Sequence, residues 1–229
     1  MHQIDLAIIG GTGVYQLAAL EHVESHMPQT RYGFASGPVR VGTLWPSPCR
    51  ANLATLQIVG ARRVLALNTV GGITDHYGPR VLGCPDQLID YTWGRISTLS
   101  EEEGTEVLHV DFGDPYTPTL RADILAAAQR AQVAIVDGGC YGATQGPRLE
   151  TRAEIARMKR DGCDLVGMTG MPEAGLAREL GLDYACLAIV ANWAAGCGDA
   201  AEITMAEVLA NVDAASAGLR PLLQELVSR

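Results

Sequence analysis

The sequence is short of positive charge. Lysine and arginine together number 17 against 26 aspartates and glutamates, which leaves a formal net charge of −9. A polyanion gains little from such a surface, so nucleic acid is not an expected partner. A small anion is not excluded, because local amides matter more to it than net charge. A basic run ahead of the first apolar stretch is also lacking. "MHQIDLAIIGGTG" breaks at glycines before it reaches the length of a secretory core. No stretch approaches the roughly 18–20 apolar residues of a membrane span. The expectation is a soluble, cytoplasmic protein with no membrane partner.

Other absences narrow the chemistry. The six cysteines, at positions 49, 84, 140, 163, 186 and 197, form no CxxC pair, and several sit inside apolar segments. That usage reads as reduced core thiols. The five histidines have no HExxH or other ligand spacing, so no metal is expected. The glycine-rich stretch near the start is not GxGxxG. No lysine follows it as in a Walker A loop.

What the chain does have is core: 229 residues, 48% of them hydrophobic, enough for a single domain spanning 1–229. No repeat, low-complexity tract or linker interrupts it. Apolar runs at 4–10, 62–69, 86–91, 133–142, 164–168 and 184–192 read as strands. Helical spacing marks 52–60, 120–132, 151–162, 172–181 and 204–227. The third of these starts at Thr151, carries Glu154 three residues on, and stops at Gly162, which are the signals of a capped helix. Strands that are nearly all apolar, alternating with helices, predict an α/β fold whose mixed, twisted sheet is covered by helices on both faces. In such sheets ligands collect at the carboxyl ends of strands.

Polar residues stand at several of those ends. "IIGGTGVY" (8–15) offers amides and the Thr12 hydroxyl to an oxyanion, or is plain turn geometry. "LNTVGGI" (67–73) ends a strand in Asn68, Thr69 and a Gly71–Gly72 pair, which reads as a tight turn or a second anion cradle. "VGMTGMPEAGLAREL" (166–180) places Met168 and Thr169 ahead of a helix opened by Pro172; methionine there is core or a soft wall against a sugar. "YGATQGPRLET" (141–151) sets Glu150 just before a helix, where it complements the helix dipole or accepts a hydrogen bond from a ligand. "AIVANWAAG" (188–196) puts Asn192 where an apolar strand runs out, as a turn residue or a ligand-reading amide.

Taken in order, these five stretches resemble the trimeric purine nucleoside phosphorylase and methylthioadenosine phosphorylase family, and in detail its methylthioinosine-using branch. The resemblance spans residues 4 to about 225. It implies the purine nucleoside phosphorylase-like fold and a reaction in which inorganic phosphate, as co-substrate, cleaves the N-glycosidic bond of a purine nucleoside, with no cofactor. By that resemblance Thr12, the Asn68–Thr69 backbone and Thr169 hold phosphate. Met168 lies against the ribose, and Glu150 and Asn192 face the purine, with Ala194 beside them. An Asn rather than an Asp at 192 goes with 6-oxopurines, and Glu150 accepts the N1–H that only such bases carry. Met205, where hydroxymethyl-specific relatives have a histidine, suits a 5′-methylthio group. His109 reaches a neighbouring subunit's site in a homotrimer.

One departure accompanies the resemblance. Family members carry a strand and an Arg-His-Gly phosphate motif where this chain passes from Leu44 to Arg50 through five residues. Roughly twenty residues are missing by comparison, and with them a charged contact to phosphate. Two alternatives to methylthioinosine phosphorolysis therefore stand: a phosphorylase of inosine or guanosine, and a catalytically impaired purine-binding protein.

Overall fold

The computed structural model describes residues 6–10, 29–31, 33–34, 49–100, 106–199 and 202–228. Thr12, the rest of its loop, and residues 44–48 lie outside the described residues, so the expectations placed on them have no structural counterpart here.

The strands are β1 (Ala7–Gly10), β2 (Gln29–Thr30), β3 (Gly33–Phe34), β4 (Arg63–Gly72), β5 (Leu82–Cys84), β6 (Gln87–Asp90), β7 (Val136–Asp137), β8 (Cys140–Ala143), β9 (Leu165–Gly167) and β10 (Asp183–Trp193). The helices are α1 (Cys49–Ile58), α2 (Pro118–Arg130), α3 (Arg152–Asp161), α4 (Glu173–Glu179) and α5 (Met205–Val227). Eight strands form one sheet in the order β6-β8-β9-β4-β10-β5-β7, with β1 paired to β4. β4 lies parallel to β1 and β10 but antiparallel to β9, so the sheet is mixed, as expected.

The two long central strands explain the layering. Along β4, Val64, Ala66 and Val70 face one core, with Leu53 and Leu56 of α1 and Leu176 of α4. Leu65 and Leu67 face the other, with Ile124 of α2 and Leu219 of α5. β10 repeats the alternation: Tyr184, Cys186, Ala188 and Val190 on the first side, Ala185, Leu187, Ile189 and Ala191 on the second. A strand buried on both faces shows no polar alternation, which is why these segments read as continuous apolar runs. A smaller cluster under α3 gathers Ile73, Ile155, Met158, Cys163, Val166 and Ala194.

Three readings of the sequence are corrected. The strand at 62–69 does not turn at its glycines; β4 runs on to Gly72. Glycine is needed there for close approach, since a Cβ on Gly72 would lie 1.7 Å from the Tyr77 carbonyl oxygen. The single run 133–142 is two short strands, because Gly138 and Gly139 adopt φ of 88° and 108° and break it. β5, too short to show a period, carried no sequence signal. All six cysteines are free thiols, and no described helix is long and apolar enough to cross a membrane.

Candidate active site

Glu150 stands at the end of the loop that follows β8. That loop passes Gly146, whose φ is 62° and where a Cβ would fall 2.4 Å from the Met168 Sδ. Only glycine lets the loop press against Met168. The loop ends where Thr151 caps α3: its hydroxyl accepts from the Glu154 N–H (3.2 Å), and Glu154 accepts from the Thr151 N–H (2.7 Å). Arg148 grips the same carboxylate at 2.8 and 2.9 Å. Those contacts, Arg148 first and the Thr151 N–H second, hold the Glu154 carboxyl at about 2, well below its usual range. Glu154 is thus committed to the cap, while Glu150, half-buried, takes no part in it. The Thr144 hydroxyl donates to its Oε1 at 2.5 Å, and the side chain borders a cavity of about 520 Å³ that Tyr91, Trp93, Gln145 and Arg157 also line.

Asn192 is aimed by a bulge. β10 keeps step with β4 up to Val190, opposite Val70; then Asn192, not Ala191, stands opposite Gly71. The extra residue turns the Asn192 side chain to the face it would otherwise have missed. The carbonyl left over at Ala191 accepts from the buried Asn211 side chain of α5 at 2.8 Å, and the Asn211 oxygen accepts from Arg80 Nε at 2.8 Å. Asn192 itself donates through Nδ2 to the Trp193 carbonyl at 2.7 Å and lies beside Gly71, where an added Cβ would meet it at 3.5 Å. Ala194 is buried next to it, its N–H on the Gly72 carbonyl at 2.8 Å.

Between these two side chains the floor is β9 and β4. Val166 pairs with Gly71 and Leu165 with Gly72 in antiparallel register. Two steps further along that register bring Met168 level with Thr69. Met168 is half-buried against Gly146, and Thr169 is exposed, its N–H directed at the Tyr141 hydroxyl (3.4 Å). Asn68 is buried and turns inward, its amide 3.4 Å from the Cys186 sulfur, so any part it takes with a ligand falls to its backbone. Met205 is 60% exposed at the first turn of α5, and His109 is exposed on the 106–112 segment; neither borders the cavity at Glu150.

The structure sets Met168 against Gly146 of the loop that ends in Glu150, and brings Asn192 and Ala194 together over Gly71, with β9 and β4 between; Met168, Asn192 and Ala194 do not border the cavity at Glu150. Reading the sequence missed Thr144, Arg95 and Asn211. Thr144 and Asn211 sit in strings of small or apolar residues, and their partners lie 6 to 131 positions away in sequence. The segment "DYTWGR" (90–95) joined two polar turn residues to Trp93 and Arg95, but nothing in its order foretold what Arg95 touches.

In this mixed sheet with helices on both faces, polar side chains lie where β8 and β9 end, beside Thr69 and Gly71 within β4, which is antiparallel to β9, and near the end of β10, a placement that suits a small-molecule enzyme of the α/β class. The chain belongs to the phosphorylase superfamily, whose profile matches residues 5–228. It is 66% identical, over 98% of each chain, to a probable S-methyl-5'-thioinosine phosphorylase of Xanthomonas campestris. It is 40% identical to an S-methyl-5'-thioadenosine phosphorylase of Mycolicibacterium smegmatis, over 83% of this chain and 78% of that one. In three dimensions it resembles methylthioadenosine phosphorylase from Schistosoma mansoni in complex with adenine, at a TM-score of 0.90 and 27% identity, over 99% of this chain and 91% of that one. The fold is therefore that of the purine nucleoside phosphorylase group, as the sequence motifs implied. The alignment with the Xanthomonas protein runs to 244 residues while this chain has 229, so at least fifteen of its positions face no residue here.

Proposed function

We propose that this protein is a pentosyltransferase that cleaves S-methyl-5'-thioinosine with inorganic phosphate, giving hypoxanthine and 5-methylthioribose 1-phosphate. The reading is supported by the placement of Glu150, a carboxylate held by Thr144 on a cavity wall after β8, and Asn192, an amide aimed by a bulge in β10, with β9 and β4 between those strands. Three strand spacings, roughly 14 Å, separate β8, whose following loop ends in Glu150, from β10, which carries Asn192. The relatives named above support the methylthio class.

Each residue type suits the chemistry. The C1′–N9 bond breaks toward an oxocarbenium-like sugar, and a phosphate oxygen forms the new bond to C1′. Phosphate seated under the ring by Thr12, Thr169 and the Asn68–Thr69 backbone stabilises the positive charge and attacks it. The electron pair of the broken bond passes to the purine. Asn192 donates toward N7 and O6, where that charge collects, without itself titrating. Glu150 accepts from N1–H, and Met168 covers the ribose. Met205 packs against the methylthio group. Phosphate is a co-substrate and no cofactor takes part. The enzyme assembles as a homotrimer in the cytoplasm, with His109 reaching a neighbour's site.

The test is phosphate-dependent release of hypoxanthine from S-methyl-5'-thioinosine, run beside inosine and methylthioadenosine. Methylthioinosine is expected to be the preferred substrate. Equal use of methylthioadenosine overturns the roles of Glu150 and Asn192, and a preference for inosine overturns that of Met205. The shortened stretch at 44–50 favours one further reading, a weakened phosphate grip. Restoring the relative's segment is then expected to raise kcat/KM for phosphate by roughly 10²–10³-fold, the usual worth of a charged transition-state contact. Hypoxanthine binding without turnover, before and after the graft, would instead mark a binding protein.

A further inference from the structure

Arg95 is assigned no contact with ligand, but its guanidinium sits between the two segments that carry ligand residues and holds Met168 by its carbonyl. Nη1 donates to the Met168 carbonyl (2.8 Å) and to the Met171 carbonyl. Nη2 donates to the Thr144 carbonyl (3.0 Å) and the Gln145 carbonyl (2.8 Å). All four terminal N–H groups are used, two on each segment. The first segment is the turn after β9 that bears Met168 and Thr169; the second begins the loop after β8 that ends in Glu150. Thr144 links directly to that carboxylate through its hydroxyl, and Gly146 of the same loop packs on the Met168 side chain. Arg95 is itself placed by the 90–94 turn, where Asp90 accepts from the Thr92 N–H (2.8 Å) and the Trp93 N–H donates to Gln145 Oε1 (3.2 Å).

We propose that Arg95 is a positioning residue that fixes the base-reading end of the site relative to its sugar-and-phosphate end, by strapping the Thr144–Gln145 and Met168–Met171 backbones to one rigid fork. The inference rests on Glu150 and Met168–Thr169 serving one nucleoside, as proposed above. Arginine is required because two terminal nitrogens about 2.3 Å apart in a fixed plane can serve two segments at once; the lysine ammonium is a single point with three donors. A strap of this kind acts on binding at both ends together, whereas a contact with substrate acts on one.

The experiment compares the wild-type full chain with Arg95→Lys and Arg95→Ala in two measurements. Hydrogen exchange followed by mass spectrometry needs no activity. In both variants, residues 143–150 and 168–172 are expected to exchange about tenfold faster or more, together, while β4 and β10 keep their protection. In phosphorolysis, KM for nucleoside and for phosphate are each expected to rise about tenfold with kcat within about threefold. Added methylguanidinium is expected to restore part of the loss in Arg95→Ala but none in Arg95→Lys, whose cavity is filled. Faster exchange spread over the whole chain, or confined to one segment, overturns the strap. So does a change in one KM alone. If the wild type turns over no nucleoside, the proposed function fails, and the exchange data still decide the strap.

Discussion

Glu150 and Asn192 sit on opposite sides of one floor and are held in place by different means. Glu150 is on a loop, and its carboxylate is set by contacts from side chains: the Thr144 hydroxyl directly, and Arg95 through the loop backbone. Asn192 is on the longest of the described strands, and its direction is set by register, through one extra residue in β10 whose stray carbonyl Asn211 collects. A loop side chain can be detuned by removing one partner at modest cost. A strand side chain is coupled to the whole ladder, so a disturbance there has to displace backbone. The largest effect is therefore expected from changing the strand side's chemistry while leaving its geometry alone. Asn192→Asp keeps shape but replaces a donor with a carboxylate. It should lower kcat/KM for 6-oxopurine nucleosides by about 10²-fold or more and bring 6-aminopurine nucleosides to equal or better use. Paired competition assays with methylthioinosine and methylthioadenosine read this directly, and an unchanged ratio removes Asn192 from base recognition.

The next effect probes how the strand side is aimed. Asn211→Ala leaves the Ala191 carbonyl without its donor and takes an acceptor from Arg80. The buried orphan should cost about 1–3 kcal/mol of stability. The KM for nucleoside should rise roughly tenfold with the KM for phosphate spared. That pattern separates it from Arg95, where both constants move. A smaller effect belongs to the loop side. Thr144→Val removes one hydroxyl at nearly constant volume and should cut kcat/KM for 6-oxopurine nucleosides by a few-fold to tenfold, in line with about 0.5–1.5 kcal/mol for one hydrogen bond. Thr144→Ser should restore most of it. A Thr144→Val loss exceeding that of Asn192→Asp would reverse the comparison and make the loop the stiffer of the two arms.

The same contrast governs what could be read from the amino acids alone. β10 and α3 were legible: one is an apolar run buried on both faces, the other carries Thr151, Glu154 and Gly162 at capping positions, and the capping box forms. Asn192 was singled out as a polar side chain where an apolar strand ends and Glu150 as an acid just before a helix, and the role of each came from the family resemblance. The bulge was not legible, since a one-residue shift in pairing leaves the apolar pattern of 184–191 intact. Nor was the straight run of β4 through Gly71 and Gly72, because glycine signals both a turn and a close approach, and only the Tyr77 carbonyl decides between them. Arg95 was invisible for a different reason: its acceptors are backbone carbonyls, which every residue has.

The smallest effect on the site is expected from Glu173, which belongs to neither arm. It opens α4 just past the Thr169 turn, is buried, and accepts from the Tyr184 hydroxyl at 2.7 Å. Burial pushes its carboxyl from the ordinary 4.5 up to about 7, against the downward pull of the Tyr184 hydrogen bond. A carboxyl whose folded value is raised favours the native state in its protonated form. That stability is complete below the unfolded value and is lost as pH rises through about 7, by roughly 2–3 kcal/mol once the charge must be carried inside. Glu173→Gln keeps an acceptor for Tyr184 and removes the charge. Its melting temperature should match the wild type near pH 4 and exceed it by several degrees near pH 8, at about 2–4 °C per kcal/mol for a chain of this size. Both KM values should stay within about twofold, because the carboxyl points at Tyr184 in the core and neither Glu150 nor Asn192 leans on it. A variant less stable than wild type near pH 8 would mean that the ionised carboxylate is held by a cation, for which Arg95, already on the Met168 and Met171 carbonyls, is the first candidate.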